Sequence, residues 1–384
     1  MKKNIIINGK ITSGKTTKIY EYVDEAIKQG DNLVFFDSKE EYLEKYQNEL
    51  KEKNYNTIIL NLKEPLKSDS FNPLLYPYHE YKKGNKDKAI EILENMGNIL
   101  FYERNSDKFW SNSACNVFIG LCIAIFEDAK EEEINFSSIW SMMTACETKY
   151  ALSDYATRYV KLKGEEDINN TAYKYLLATF LAPKETKGGI LATARSKFSN
   201  IITRENLNIM LSFEDLKIED NKKYSIFIIQ NNNNKELSSI ILGRVIEQIN
   251  TGIIVLDNFD DIDCFNYLKE YMSNGPSESK YYIIGTRDIN NLYNNYSEYL
   301  EKLATIINLD NEYEYKKIDK NKIEFPTLEK KNIKIFNLIN YVDNKLTDEN
   351  GVEEKDIEIN SIMKQIEEKL NQLEEEDNKA TSNK

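Results

Sequence analysis

Residues Gly9-Lys10-Ile11-Thr12-Ser13-Gly14-Lys15-Thr16 fit G-x-x-x-x-G-K-[ST] without a mismatch. So short a pattern carries weight only in context, and the context is present. Asn4–Asn8 (NIIIN) is a β-branched apolar run that stops at Gly9, as a buried parallel strand does. From Lys15 to Gln29, Ile19, Val23 and Ile27 recur at helical spacing. Strand, glycine-bearing turn and helix together make a phosphate-binding loop. Its glycines let backbone N–H groups converge on phosphate oxygens, and the helix N-terminus adds partial positive charge. The expected binding set is Gly9, Thr12, Ser13, Gly14, Lys15, Thr16 and Thr17, for ATP with Mg2+. Lys15 is placed to reach the β- and γ-phosphates, and the Thr16 hydroxyl to ligate Mg2+.

The remaining apolar runs extend this start into an α/β pattern. Leu33–Phe36 and Thr57–Leu62 read as further buried strands, separated by a charged helix over Glu40–Lys53. From about residue 87 to 200 the spacing turns helical, with Ala89–Leu100 and Phe109–Phe126 the clearest helices. Strands return at Ser225–Ile229, Gly252–Leu256 and Tyr281–Gly285, with Thr305–Leu309 as a further candidate and Leu237–Ile249 as a helix. The expected division is a sheet domain over 1–130 and 190–345, a helical insertion over 131–189, and an acidic tail over 346–384 that is either helical or disordered. In that tail Ile359, Met363, Ile366, Leu370 and Leu373 keep heptad spacing for only two repeats.

Composition narrows the function classes. The net charge is −13, of which −7 falls in the last 38 residues, so there is no overall basic surface for wrapping nucleic acid. A local basic channel stays open: Lys184, Lys187, Arg195, Lys197 and Arg204 face only Glu185 in their segment, and read either as DNA-facing or as a solvated helix face. Cys115, Cys122, Cys146 and Cys264 have no CxxC spacing, and His79 is the single histidine, so neither a disulfide framework nor a zinc site is expected. No apolar run approaches a membrane span, which leads to the expectation of a soluble, cytoplasmic chain with no span of its own.

A phosphate-binding loop needs an acidic metal partner at the end of another buried strand. Gly252–Leu256 followed by Asp257 offers it, giving Thr16 and Asp257 as the metal pair; the bland alternative is a polar residue that ends a strand. The next residue is Asn258, where motor ATPases of the RecA-like kind place a water-activating Glu. An amide can orient a water but cannot take its proton, so hydrolysis is less secure than binding unless Asp260 or Asp261 substitutes.

Four motifs in order resemble the type IV secretion coupling proteins, the TraG-type ATPases of conjugative DNA transfer. They are the phosphate-binding loop; Asp37-Ser38-Lys39-Glu40-Glu41-Tyr42 for D-P-K-G-E-x; Phe71-Asn72-Pro73-Leu74 for F/x-N-P-L; and Asp107-Lys108-Phe109-Trp110-Ser111-Asn112-Ser113-Ala114 for D-x-F-W-x-x-x-A. The resemblance covers roughly 4–310. It implies a RecA-like sheet interrupted by an all-α insertion, a homo-oligomeric ring (a hexamer among the allowed sizes), and a substrate of DNA or a relaxase–DNA complex. It also implies type IV secretion channel components as partners, docking at the inner face of the cell membrane through one of them. The catalytic set it implies is Lys15, Asp257, Asn258 and Arg287. Arg287 stands where the family has a phosphate-sensing Gln, and either senses phosphate by charge or pairs with Asp288 or Asp257. Arg195, Arg204 and Arg244 are the options for an arginine inserted into a neighbouring subunit. Phe109 and Trp110 read first as core aromatics, Asn72-Pro73 as a turn, and Asp37 with Lys39 as either a nucleotide-proximal or subunit-contact pair or a solvated loop. Two rival readings stay open: a hydrolysis-poor nucleotide-binding scaffold, and a soluble DNA packaging or segregation ATPase.

Overall fold

The computed structural model describes residues 4–101, 107–219, 221–231, 235–257, 259, 280–290, 304–309 and 323–349. Its strands are β1 (Asn4–Gly9), β2 (Leu33–Phe36), β3 (Asn56–Asn61), the hairpin pair β4 (Lys149–Tyr150) and β5 (Ser153–Asp154), β6 (Tyr224–Ile229), β7 (Gly252–Leu256), β8 (Lys280–Thr286) and β9 (Ala304–Leu309). Seven of them pair in parallel, in the order β3-β6-β2-β7-β8-β1-β9. The apolar runs demand this arrangement. A parallel sheet is covered on both faces, so its strands can be continuously hydrophobic.

Alternate residues serve opposite faces. Ile5 and Ile7 of β1, Leu33 and Phe35 of β2, and Phe227 of β6 join α1 (Lys15–Gln29) and α2 (Glu41–Glu52) in one core. Phe35 stacks on Phe227 there, with ring centroids 4.7 Å apart. Ile6, Val34, Phe36, Ile226, Ile228 and Ile254 face the other core, which the remaining helices build. These are α3 (Leu75–Lys82), α4 (Lys86–Phe101), α5 (Lys108–Asp128), α6 (Phe136–Thr144), α7 (Tyr155–Glu166), α8 (Thr171–Phe180), α9 (Lys184–Ile202), α10 (Glu205–Met210) and α11 (Lys235–Gln248), with α12 (Leu338–Glu349) near the end of the described chain. Among the described residues, α5 is the one helix long and apolar enough to cross a membrane, and two-thirds (67%) of its apolar window is buried inside the fold. Its buried residues run from Ala114 to Phe126, so beyond its first turns it is a core helix.

Residues 323–337 run from the sheet to the helices as an irregular strap. Glu324 N donates to Gln47 Oε1 (2.8 Å), Leu328 N to the Leu66 carbonyl (3.0 Å) and Phe336 N to Ser138 Oγ (2.9 Å). Helix α12 then lies on α7, with Lys345 paired to Glu166.

Several local expectations change in three dimensions. Phe109 and Trp110 are not core: they are 50% and 37% exposed, packed edge to face on each other, with Trp110 leaning on Gly189 of α9. They stand in the first turn of α5, before the helix enters the core. The helical stretch also contains the small β4–β5 hairpin. Within α9, Lys187 is tied to the buried Asp154 (2.6 Å), and Arg195 bonds Glu147 and the Met143 carbonyl. The heptad-spaced residues 359–373 lie outside the described residues, as does Cys264.

Candidate nucleotide-binding site

Parallel pairing puts the C-terminal ends of β1, β7 and β8 at one edge, and the site is built there. After β1 the backbone must turn sharply into α1. Thr12 (φ 71°) and Gly14 (φ 84°) take the left-handed region, and Ser13 N donates to the Lys10 carbonyl (3.2 Å). Glycine enters that region without steric cost, whereas Thr12 does not. Gly9 is required for a second reason: a Cβ there would lie 2.3 Å from Ser13 Oγ. No side chain caps the first turn of α1. The Ser13 hydroxyl is buried without a hydrogen-bond partner among the described residues. Lys15, 8% exposed, curls back so that Nζ donates to the Gly9 (2.6 Å) and Lys10 (2.8 Å) carbonyls.

Asp257 follows β7 and is buried. Its Oδ2 accepts from Thr16 Oγ1 at 2.7 Å and from the Tyr42 phenol at 3.0 Å. The two loops therefore meet although 241 residues separate them. Their strands are not neighbours, since β8 runs between them. Gly285 of β8 makes the crossing possible, because a Cβ there would lie 2.5 Å from Asp257 Oδ1 and 3.2 Å from Ile19 Cδ1.

These residues fit a nucleotide's phosphates and a divalent ion. The buried Ser13 hydroxyl and the amides of an uncapped first turn are donors that anionic oxygens can engage, and the Lys15 ammonium, held on two carbonyls of the same loop, adds positive charge beside them. The Thr16 hydroxyl and the Asp257 carboxylate, in contact at 2.7 Å, would suit Mg2+, which takes few protein ligands and shares the phosphates.

Asp37 follows β2 at the same edge and is neither solvated nor aimed at the loop. It is buried, and its carboxylate accepts the N–H groups of Glu41, Tyr42 and Leu43, each at 3.0 Å, so it caps α2. Burial pushes its carboxyl up to about 7 against the opposite pull of those three amides. Asn72 is a buried turn residue whose Nδ2 donates to the Ile134 carbonyl at 2.6 Å. Arg287 follows β8 and is exposed at this edge; Thr17 lies in the first turn of α1. Arg244 is fully buried and paired with Glu247 (2.8 Å), so it cannot be inserted into a neighbouring subunit. Asn258, Asp260 and Asp261 lie outside the described residues. Tyr42 and Gly285 are the two contributors that sequence reasoning passed over. An isolated glycine near a strand end signals close approach of another group, and Gly285 carried that signal.

A family model described as "Type IV secretory system Conjugative DNA transfer" matches residues 4–264. The chain belongs to that family. Among solved structures, the conjugation-family chain is similar to the bacterial conjugative coupling protein TrwBdeltaN70 in complex with sulphate. The TM-score is 0.53 at 13% identity, covering 80% of this chain and 70% of that one. It is similar also to TrwB in complex with ADP and Mg2+ (TM-score 0.50, 13% identity, 76% and 65% covered). A third likeness is to TrwB with the ATP analogue ADPNP (0.50, 14%, 76% and 65%). Against these nucleotide complexes the chain spans a little under two-thirds of the relative's length. Likeness at this identity establishes a shared RecA-like fold. Among proteins of curated function, no sequence matches the chain.

Proposed function

We propose that this member of the conjugative DNA-transfer family binds ATP·Mg2+ and works as a coupling-protein-like motor. The carrying observation is the 2.7 Å contact between Thr16 and Asp257, which joins the phosphate-binding loop to the strand-end acid. In this reading Gly9, Thr12, Ser13, Gly14, Lys15, Thr16 and Thr17 hold the phosphates, and Thr16 and Asp257 hold the ion. Bound Mg2+ supplies charge neutralisation on the phosphate oxygens. Lys15 leaves the Gly9 and Lys10 carbonyls to bind the phosphates, exchanging neutral acceptors for anionic ones that its charge attracts more strongly. In the same reading Arg287, exposed after β8, acts as the phosphate sensor, and Asn258 orients the water. The complexes of TrwB with ADP and Mg2+ support the cofactor assignment.

The chain acts as a homo-oligomeric ring on DNA or a relaxase–DNA complex, alongside type IV secretion channel components, in the cytoplasm or held to the inner face of the membrane by one of them. A second reading, a nucleotide-gated scaffold with little turnover, is favoured by Asn258 in place of an acid. Steady-state ATP hydrolysis with and without single- and double-stranded DNA, beside a Lys15→Ala control, separates them. Turnover above the control and stimulated by DNA is the motor's signature. Tight binding without turnover in every condition leaves the scaffold.

A further inference from the structure

Asp257 is gripped from two sides. Thr16 comes from the phosphate-binding loop, and Tyr42 comes from the first turn of α2, an element that belongs to neither nucleotide-site motif. Tyr42 is tied at both backbone and ring. Its backbone N–H is bonded to Asp37 Oδ2, its ring stacks on Phe35 at 5.4 Å and meets Tyr20 edge-on at 5.5 Å, and it is 2% exposed. On the opposite side the backbone of Gly285 leaves Oδ1 room that any Cβ would take.

We propose that Tyr42 is a positioning residue for the divalent cation, an inference that rests on the ATP·Mg2+ reading above. A threonine hydroxyl that ligates a cation through oxygen needs an acceptor for its proton, and Asp257 Oδ2 is that acceptor. The Tyr42 phenol occupies the second lone pair of the same oxygen and fixes the carboxylate rotamer. Without it the carboxylate rotates, the Thr16 hydroxyl loses its fixed acceptor, and the cation meets a softer site. Partners of this outer kind are worth about 10- to 100-fold in metal affinity.

The test uses the full chain, ADP, and Mn2+ as a paramagnetic probe for the cation. Tyr42→Phe weakens Mn2+ binding to the ADP complex by about tenfold, while affinity for ADP without metal changes less than about twofold. Tyr46→Phe is the control: it removes an equally buried phenol one turn along α2, bonded instead to Asp24 (2.7 Å) and the Tyr20 carbonyl. It lowers the melting temperature and leaves Mn2+ affinity where it was. Gly285→Ala, which displaces the carboxylate from the other side, reproduces the Tyr42→Phe loss and serves if that variant does not fold. Unchanged Mn2+ affinity in Tyr42→Phe, or an equal loss in Tyr46→Phe, overturns the proposal. A wild-type chain that binds no ADP removes the nucleotide reading itself, and this proposal with it.

Discussion

Helices α1 and α2 both start at the C-terminal edge of the sheet, and both are entered through a left-handed residue, Gly14 at φ 84° and Glu40 at φ 64°. Their first turns are then used in opposite ways. The start of α1 has no side-chain cap, and the start of α2 is filled by the Asp37 carboxylate, which takes three backbone amides. A helix N-terminus attracts negative charge wherever it occurs. What differs is whether the chain supplies an acceptor of its own. At α2 it does, and the turn becomes structure; at α1 it does not, and the turn can take phosphate. The glycine follows the same division. Gly14 has no Cβ to strain, whereas Glu40 holds a conformation costing an L-residue about 1 kcal/mol, in the motif position where the resembling family has glycine.

The contrast yields a double dissociation. Lys15→Ala should lower ATP affinity by about 100-fold, the loss of charge-assisted bonds to phosphate, and shift the melting temperature only slightly. Isothermal titration and a thermal scan read the two quantities; a large thermal shift with intact affinity would reverse the assignment. Asp37→Ala should do the converse, lowering unfolding free energy by about 2 kcal/mol through the lost cap while affinity for metal-free ADP changes little. Urea unfolding measures it.

The Asp37 cap is also sensitive to pH. Its carboxyl is held near 7 in the fold, and burial likewise pushes Glu214 up to about 8. Both folded values exceed the unfolded ones, so the folded state binds more protons between them. This contribution to stability is complete below about pH 4 and is lost as pH rises through about 7 to 8. The melting temperature should therefore fall between about pH 5.5 and 8.5, and Asp37→Asn should flatten the lower part of that slope; a temperature that rises over the range contradicts the assignment. The smallest effect expected is a gain. Glu40→Gly relieves the left-handed strain but frees the unfolded chain and gives up the exposed Lys63 ion pair (2.8 Å), leaving a net stabilisation of about 0.5 kcal/mol. Destabilisation in the same urea titration would mean that the ion pair outweighs the strain.

Much of this was legible from local pattern. The strand runs, the helices around 15–29 and 108–128, the loop and Asp257 all announce themselves through apolar periodicity and residue type over a few positions. The failures share a cause. Phe109 and Trp110 have core-type side chains, but the first turn of α5 precedes the point where that helix is enclosed. Asp37 sits where ligands bind in open α/β sheets, yet the turn after β2 closes on it and spends it as a cap. Lys187 belongs to a basic segment by composition, and a carboxylate from β5 neutralises it.

The sequence by itself determined that this chain forms a covered parallel sheet carrying a phosphate-binding loop, because burial parity and loop chemistry act between residues close along the chain. Which strands lie side by side was decided only by tertiary packing, where each strand's two apolar faces find helices to cover them. Strand order β7-β8-β1 sets Asp257 two strands from Thr16, lets Gly285 open the gap between them, and brings Tyr42 in from α2. No spacing in the chain encodes a contact spanning 241 residues. It exists because these elements have one way to bury what they carry.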